Sequence, residues 1–216
     1  MKKFLVLGIL FILPITAYIF FASGKDNFSK LPVLTQGVQE LTEFRDLDGK
    51  AVTFKDHITV LGFFGSDLFA NRANAYNLAH KIYKKNHEFH DFQLLVIAPE
   101  GTQEQALDLK ANLDEIANTE NWKFVFGSSE AIKNLFNSLQ TNQQLDENLA
   151  TSYVYIIDKE AALRGRNDDE DEDEGVLYGF DSSSVAEINN KMSDDIKVVL
   201  AEYRLALKKY KAKREI

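Results

Sequence analysis

Cysteine is absent from this chain of 216 residues. That one absence excludes disulfides, thiol catalysis, iron–sulfur ligation and thiolate metal sites together. It leaves the compartment open, because a protein without thiols is indifferent to redox poise. Methionine is scarce as well: Met1 and Met192 are the only two, so thioether donors for a soft metal are nearly lacking. Prolines number three, and 45% of residues are apolar, which describes a folded chain, not a disordered one. Positive charge is in deficit, with 25 Lys and Arg against 33 Asp and Glu and a net charge of −8. No basic patch lies on the main body, which argues against nucleic acid as a partner. The length suffices for one sizeable core without covalent staples.

Long apolar runs are also few. One opens the chain, from Phe4 to Ala22 after Met1-Lys2-Lys3, close to the roughly 20 residues a helix needs to cross hydrocarbon. It exceeds a usual signal-peptide core, and Tyr18-Ile-Phe-Phe21 puts bulky residues where cleavage needs small ones. We read residues 1–24 as an uncleaved signal anchor spanning the cytoplasmic membrane, with the lysines holding the N-terminus in the cytoplasm and the body facing the periplasm or exterior. The alternative is a signal peptide cleaved near Ala22 or Ser23. Without a cysteine there is no lipoprotein anchor. Residues 25–39 read as a polar tether and 40–216 as one folded domain.

Within that domain, apolar strand-like runs alternate with helical periodicities. Phe44 to Phe54 reads as a hairpin turning at Asp48-Gly49. Val60 to Phe64 opens a strand that passes Gly65 into a helix with Ala75, Leu78, Ala79 and Ile82 on one face. Phe92 to Ala98, Trp122 to Gly127 and Ser152 to Asp158 are further strands. Helices are expected over 103–118 and 129–139, and a long one follows the capping box Ser184-Val-Ala-Glu187, with a bend near Ser193. Gly175 to Phe180 is expected to return as the hairpin partner of 152–158 across a charged loop. The pattern predicts an α/β fold, a central mixed sheet covered by helices on both faces.

Four segments in order carry a resemblance: Phe44-Arg-Asp-Leu-Asp-Gly-Lys50, Leu61-Gly-Phe-Phe-Gly-Ser66, Trp122-Lys-Phe-Val-Phe-Gly-Ser128 and Tyr153-Val-Tyr-Ile-Ile-Asp158. Together they resemble the SCO/SenC family, over about Glu40 to Tyr210. The resemblance implies a thioredoxin-like fold behind a membrane anchor, and a setting in copper delivery or thiol reduction during cytochrome oxidase assembly. It also implies a metal site of two cysteines after the Phe-Gly strand and one histidine before the later strand. Laid on this chain, those positions fall at or near Phe69, Ala73 and Ala150, none of which ligates copper. The implied chain is a degenerate member without the redox or copper site, and no cofactor is expected.

Other candidates are weighed on their own residues. His80, His87 and His90 cluster, and His87-Glu-Phe-His90 would share a helix face. They read first as a solvated helix end and alternatively as a metal site. Arg164 to Glu174 is densely charged, and its run 168–174 reads as a solvated loop, alternatively as a partner contact or cation site. Lys208 to Arg214 complements the negative end of the last helix, with anionic lipid as the alternative contact. Ser66 and Asp67 sit where a nucleophile would, yet with no histidine beside them, N-capping by Ser66, Asp67 or Asn71 is the reading. The expectation is a non-enzymatic, anchored protein that binds another protein through Ser66, Asp67, Leu68 and Phe69. The rival is a metal carrier using the histidines or the acidic run.

Overall fold

The computed structural model describes residues 3, 10–18, 30–172 and 174–214, with helix side chains as far as 205. The run expected to cross the membrane lies mostly outside the described residues. Its residues 10–18 are helical and expose Leu10, Phe11, Ile12, Leu13 and Ile15. Among the described residues no helix is long and apolar enough to cross a membrane.

An eight-stranded sheet forms the centre, in the order β1-β7-β6-β3-β4-β5-β2 with β8 also on β6. Strand β3 (Ile58–Phe64) is its axis, buried at every residue, as continuous apolar sequence demands of a strand covered on both faces. Strands β4 (Phe92–Pro99) and β5 (Trp122–Gly127) follow parallel to it. On its other side β6 (Ala150–Ile157) runs antiparallel, then turns into β7 (Leu163–Arg164). Short β8 (Phe180–Asp181) pairs antiparallel with β6 at Val154 and Tyr153, so the expected return strand forms at its end.

The β-type alternation sorts side chains into two cores. Val60, Phe64, Leu94, Val96, Phe124 and Ile156 meet the helices α1 (Arg72–Leu78), α3 (Gln103–Asp114) and α6 (Ser193–Arg214). Leu61, Phe63, Leu95, Ile97, Val125 and Tyr155 meet α4 (Ser129–Ser138) and the loop residues Leu41, Phe44 and Phe54. Phe63, Phe136 and Tyr155 interlock edge-on, with centroids 5.2–6.3 Å apart, an arrangement favoured by the ring quadrupoles.

Several expectations need correction. The tether is shorter than 25–39, because Val33–Thr35 forms β1 against β7 and Leu31, Thr35 and Val38 are buried. Three residues are too few to show a strand period in the sequence. The hairpin over 44–54 is only a turn: Gly49 takes φ +75°, and Asp46 N–H donates to the Lys50 carbonyl at 3.0 Å. Its strand β2 (Arg45–Asp46) pairs with β5 instead. Helix α1 continues through a π-turn (Ala79–Tyr83) into α2 (Lys84–Asn86). A second π-turn (Ile188–Met192) joins α5 (Val185–Glu187) to α6, immediately before the bend expected at Ser193. The capping box is half built. Ser184 Oγ accepts from Glu187 N–H at 3.3 Å, but the Glu187 carboxylate accepts from Asp181 N–H at 2.8 Å.

Candidate functional site

The candidate site expected from the sequence is the turn from β3 into α1. Gly65 leaves the strand at φ +67°, and Ser66 N–H donates to the Asn148 carbonyl at 3.0 Å. Phe64 stands opposite Ala150 in the register of β3 with β6. The two halves of the site inferred from the resemblance therefore meet here: Ala150 is buried against the turn, Phe69 is 40% exposed beyond it, and Ala73 is exposed on the first turn of α1. None carries a metal-binding atom.

Two backbone donors in the turn ahead of α1 are already engaged. Asp67 Oδ1 accepts from Ala70 N–H at 3.0 Å, and Gln105 Oε1, from α3, accepts from Leu68 N–H at 3.0 Å. Asn71, at the cap position, makes no side-chain cap bond and instead donates from Nδ2 to the Phe64 carbonyl at 3.0 Å. A helix N-terminus ordinarily attracts anions through its free N–H groups. Here the chain supplies its own carboxylate and amide. The expected side-chain cap does not form: Asp67 closes the turn ahead of the helix, and Ser66 Oγ lies 3.4 Å from Asn148 Oδ1.

Leu68 corrects the expected docking patch, because it is fully buried in the core beneath α1. Among the four named residues, only Ser66, Asp67 and Phe69 are exposed. Sequence reasoning missed Gln105 and Asn148. Gln105 gives no local signal, since a polar residue on a helix reads as solvent-facing. Asp146 does give one: its carboxylate accepts from Asn148 and Ala150 N–H at 2.9 and 2.8 Å, a turn that Asp favours. Leu149 sits inside that turn at φ +64°.

The histidines are dispersed in role. His80 is exposed, His87 stacks on Tyr83 with centroids 5.7 Å apart, and exposed His90 pairs with Asp91 at 2.9 Å. Among the described residues no three His, Asp or Glu side chains form a group able to hold a metal ion.

The charged segment is more tightly bound than a solvated loop. Arg164 lies in β7, buried, with Nη1 3.0 Å from Asp158 and Nη2 2.7 Å from Glu202, while Nε donates to the Leu31 carbonyl. Arg166 grips Asp195 through two nitrogens at 2.8 and 2.9 Å, and also reaches Asp169. Lys191 bridges Asp169 and Asp171. Burial alone would raise the Asp169 carboxyl, but Lys191, the Asp171 N–H and Arg166 hold it below the usual range. Around Asp195 burial wins, and its carboxyl is pushed up despite Arg166. Asp169 and, through Lys191, Asp171 are tied to the structure, whereas Asp168 and Glu170 are exposed.

A βαβ unit, β3-α1-β4, joined to an antiparallel pair, β6-β7, is the topology of thioredoxin. A candidate electron transfer protein from Aquifex aeolicus superposes with a TM-score of 0.51, covering 77% of this chain and 92% of its own at 17% identity. The fold is thioredoxin-like. The soluble domain of Sco1 from Bacillus subtilis is also similar, at TM-score 0.48 and 16% identity over 76% of this chain and 92% of its own. Copper-bound ScoI from Arabidopsis thaliana gives 0.46 and 18% over 75% and 98%. No known family profile matches the sequence, and no curated protein does. In this thioredoxin-like frame the reactive turn is present and its thiols are not.

Proposed function

We propose that this chain is a degenerate SCO-like accessory protein that binds another protein and carries out no thiol or copper chemistry. The proposal includes anchoring by the N-terminal apolar run, with the body outside the cytoplasm. Its setting, respiratory oxidase assembly, comes from the sequence resemblance. One observation carries the reading: Phe69, Ala73 and Ala150 stand around an intact β3-to-α1 turn in which Asp67 and Gln105 accept from the Ala70 and Leu68 N–H groups. Such a turn retains the shape of a reactive site without its donors. Exposed Phe69 is an apolar contact of the kind that anchors interfaces.

The test replaces Phe69 with a photo-crosslinking amino acid in the full chain, in cells that make it, with Leu107 on α3 as an exposed control. A discrete adduct at Phe69 and none at Leu107 supports the reading. Equal or absent adducts overturn it. Separately, titration of the purified full chain with Cu(I) should show no binding tighter than about micromolar, roughly −8 kcal/mol. Tighter binding would return the chain to the metal carriers.

A further inference from the structure

The middle of α6 forms a groove with Asn86 at the end of α2 and with Phe89, apart from the β3-to-α1 turn. It is about 310 Å³ in volume, lined by Phe89, Leu200, Ala201 and Leu205, and its rim carries Lys197 and Arg204. The Arg204 guanidinium lies 5.4 Å from the centre of the Phe89 ring. On α2, Lys84 and Lys85 are exposed. The acids nearby are Asp194, paired with Lys197 at 2.8 Å, Glu88, and Glu202, which turns inward to Arg164 and Lys30. Beyond the groove the helix continues through Lys208, Lys209, Lys211, Lys213 and Arg214 with no acid among them. In a chain of net charge −8, cations are thus concentrated at one end of one helix.

A second observation fixes where this end must lie. The chain enters the body at Lys30, whose Nζ is 3.0 Å from Glu202, one turn or less from Arg204 and Leu205. From Ala22, the last residue of the apolar run, to Lys30 is eight peptide steps, at most about 28 Å when fully extended. If that run enters a bilayer, the middle of α6 around Glu202 cannot stand far from its surface.

We propose that the α6 groove and its cationic rim lie on an anionic phospholipid surface, orienting the β3-to-α1 turn relative to the membrane. The proposal rests on the anchor reading and adds a second, independent contact. Apolar side chains flanked by Lys and Arg are the composition that binds the boundary between headgroups and acyl chains. Electrostatic attraction of this kind weakens with salt as the Debye length contracts.

The native absence of cysteine allows a clean test. A nitroxide is placed at Leu205→Cys, or at Lys197→Cys should the first variant misfold, with Asp48→Cys as a distant control. The full chain is reconstituted into lipid nanodiscs of phosphatidylcholine alone or mixed with phosphatidylglycerol. Expected in the mixed discs is a fall of about threefold or more in accessibility to an aqueous paramagnetic quencher at Leu205. That fall is absent at Asp48, and is lost at about 1 M salt, where the Debye length is about 3 Å. Arg204→Glu should abolish it. A Leu205 label that stays aqueous in discs that retain the protein overturns the docking and leaves the anchor reading standing. Protein that does not associate with discs at all overturns both. Protection that is the same in detergent and in every disc shows the groove covered by protein and also overturns the proposal.

Discussion

Gly65→Ala tests whether the turn is held as tightly as its contacts indicate. A Cβ at Gly65 would stand 2.3 Å from the Asn148 carbonyl oxygen and 2.8 Å from the Ala150 Cβ. The obstructing oxygen is backbone, so a rotamer change cannot relieve it. The residue also holds φ +67°, a left-handed conformation that costs a non-glycine residue roughly 1–2 kcal/mol. Overpacking adds about 1–3 kcal/mol. Displacing Asn148 would further weaken its bond from Ser66 N–H, worth about 1 kcal/mol. The sum is roughly 3–6 kcal/mol. Gly49→Ala is the matched control: its φ is +75°, with nothing within 4 Å of the added carbon, so it incurs only the conformational part. Urea unfolding of the full chain in mild detergent would report both, followed through the single tryptophan, Trp122, which is buried in the core. If Gly65→Ala loses no more stability than Gly49→Ala, the 146–150 segment is not clamped on the turn and the reasoning fails.

Other outcomes follow from the ion pairs. Arg164→Met strands the buried Asp158 and half-buried Glu202 together, and should cost about 3–5 kcal/mol in the same unfolding measurement; a loss under about 1 kcal/mol, as for an exposed pair, would refute the buried network. Burial pushes the Glu202 carboxyl up, but Arg164 and Lys30 outweigh it and hold the group below its usual range. Its stabilisation is therefore complete above the ordinary carboxylate pKa, about 4.3, and is lost as pH falls through the lower folded value. Glu202→Gln should flatten the acid side of the stability–pH curve, and an unchanged slope would count against the pairing. Asp169→Ala removes the carboxylate shared by Arg166 and Lys191, each of which keeps a second partner, so amide exchange over 166–177 should quicken by tenfold or more, equivalent to about 1.4 kcal/mol. Unaltered protection would show that the segment is held by something else.

Where one side chain pattern dictated one structure, the sequence was readable. The unbroken apolar runs at 58–64 and 92–99 became interior strands because nothing but burial on both faces satisfies them. Ala75, Leu78, Ala79 and Ile82 line the buried face of their helix as their spacing requires. Short edge strands escaped notice, since Val33–Thr35 and Arg45–Asp46 carry too few residues to show alternation. The candidate site was half legible. Gly65 and Asp67 announce a turn locally, but Gln105 arrives from 37 residues away and Asn148 from 82. Arg164 misled for the opposite reason: a charged residue in a charged run reads as solvated, and only the distant Glu202 and Asp158 make its burial tolerable.

The same long-range bonds bear on what the turn is suited to do. In a thiol-bearing protein of this fold, unsatisfied N–H groups at the helix start stabilise a thiolate. Here Asp67 and Gln105 occupy the Ala70 and Leu68 N–H groups ahead of the helix, Asn71 ties the cap to β3, and Asn148 ties Ser66 to the segment before β6. Four attachments over six residues leave little freedom for conformational cycling between oxidised, reduced or loaded states. They favour a fixed surface from which Phe69 projects. A surface ordered before contact loses less entropy on association than a mobile loop does. On the proposed reading, these internal hydrogen bonds hold the turn as a preformed surface, the property that a protein-binding site uses.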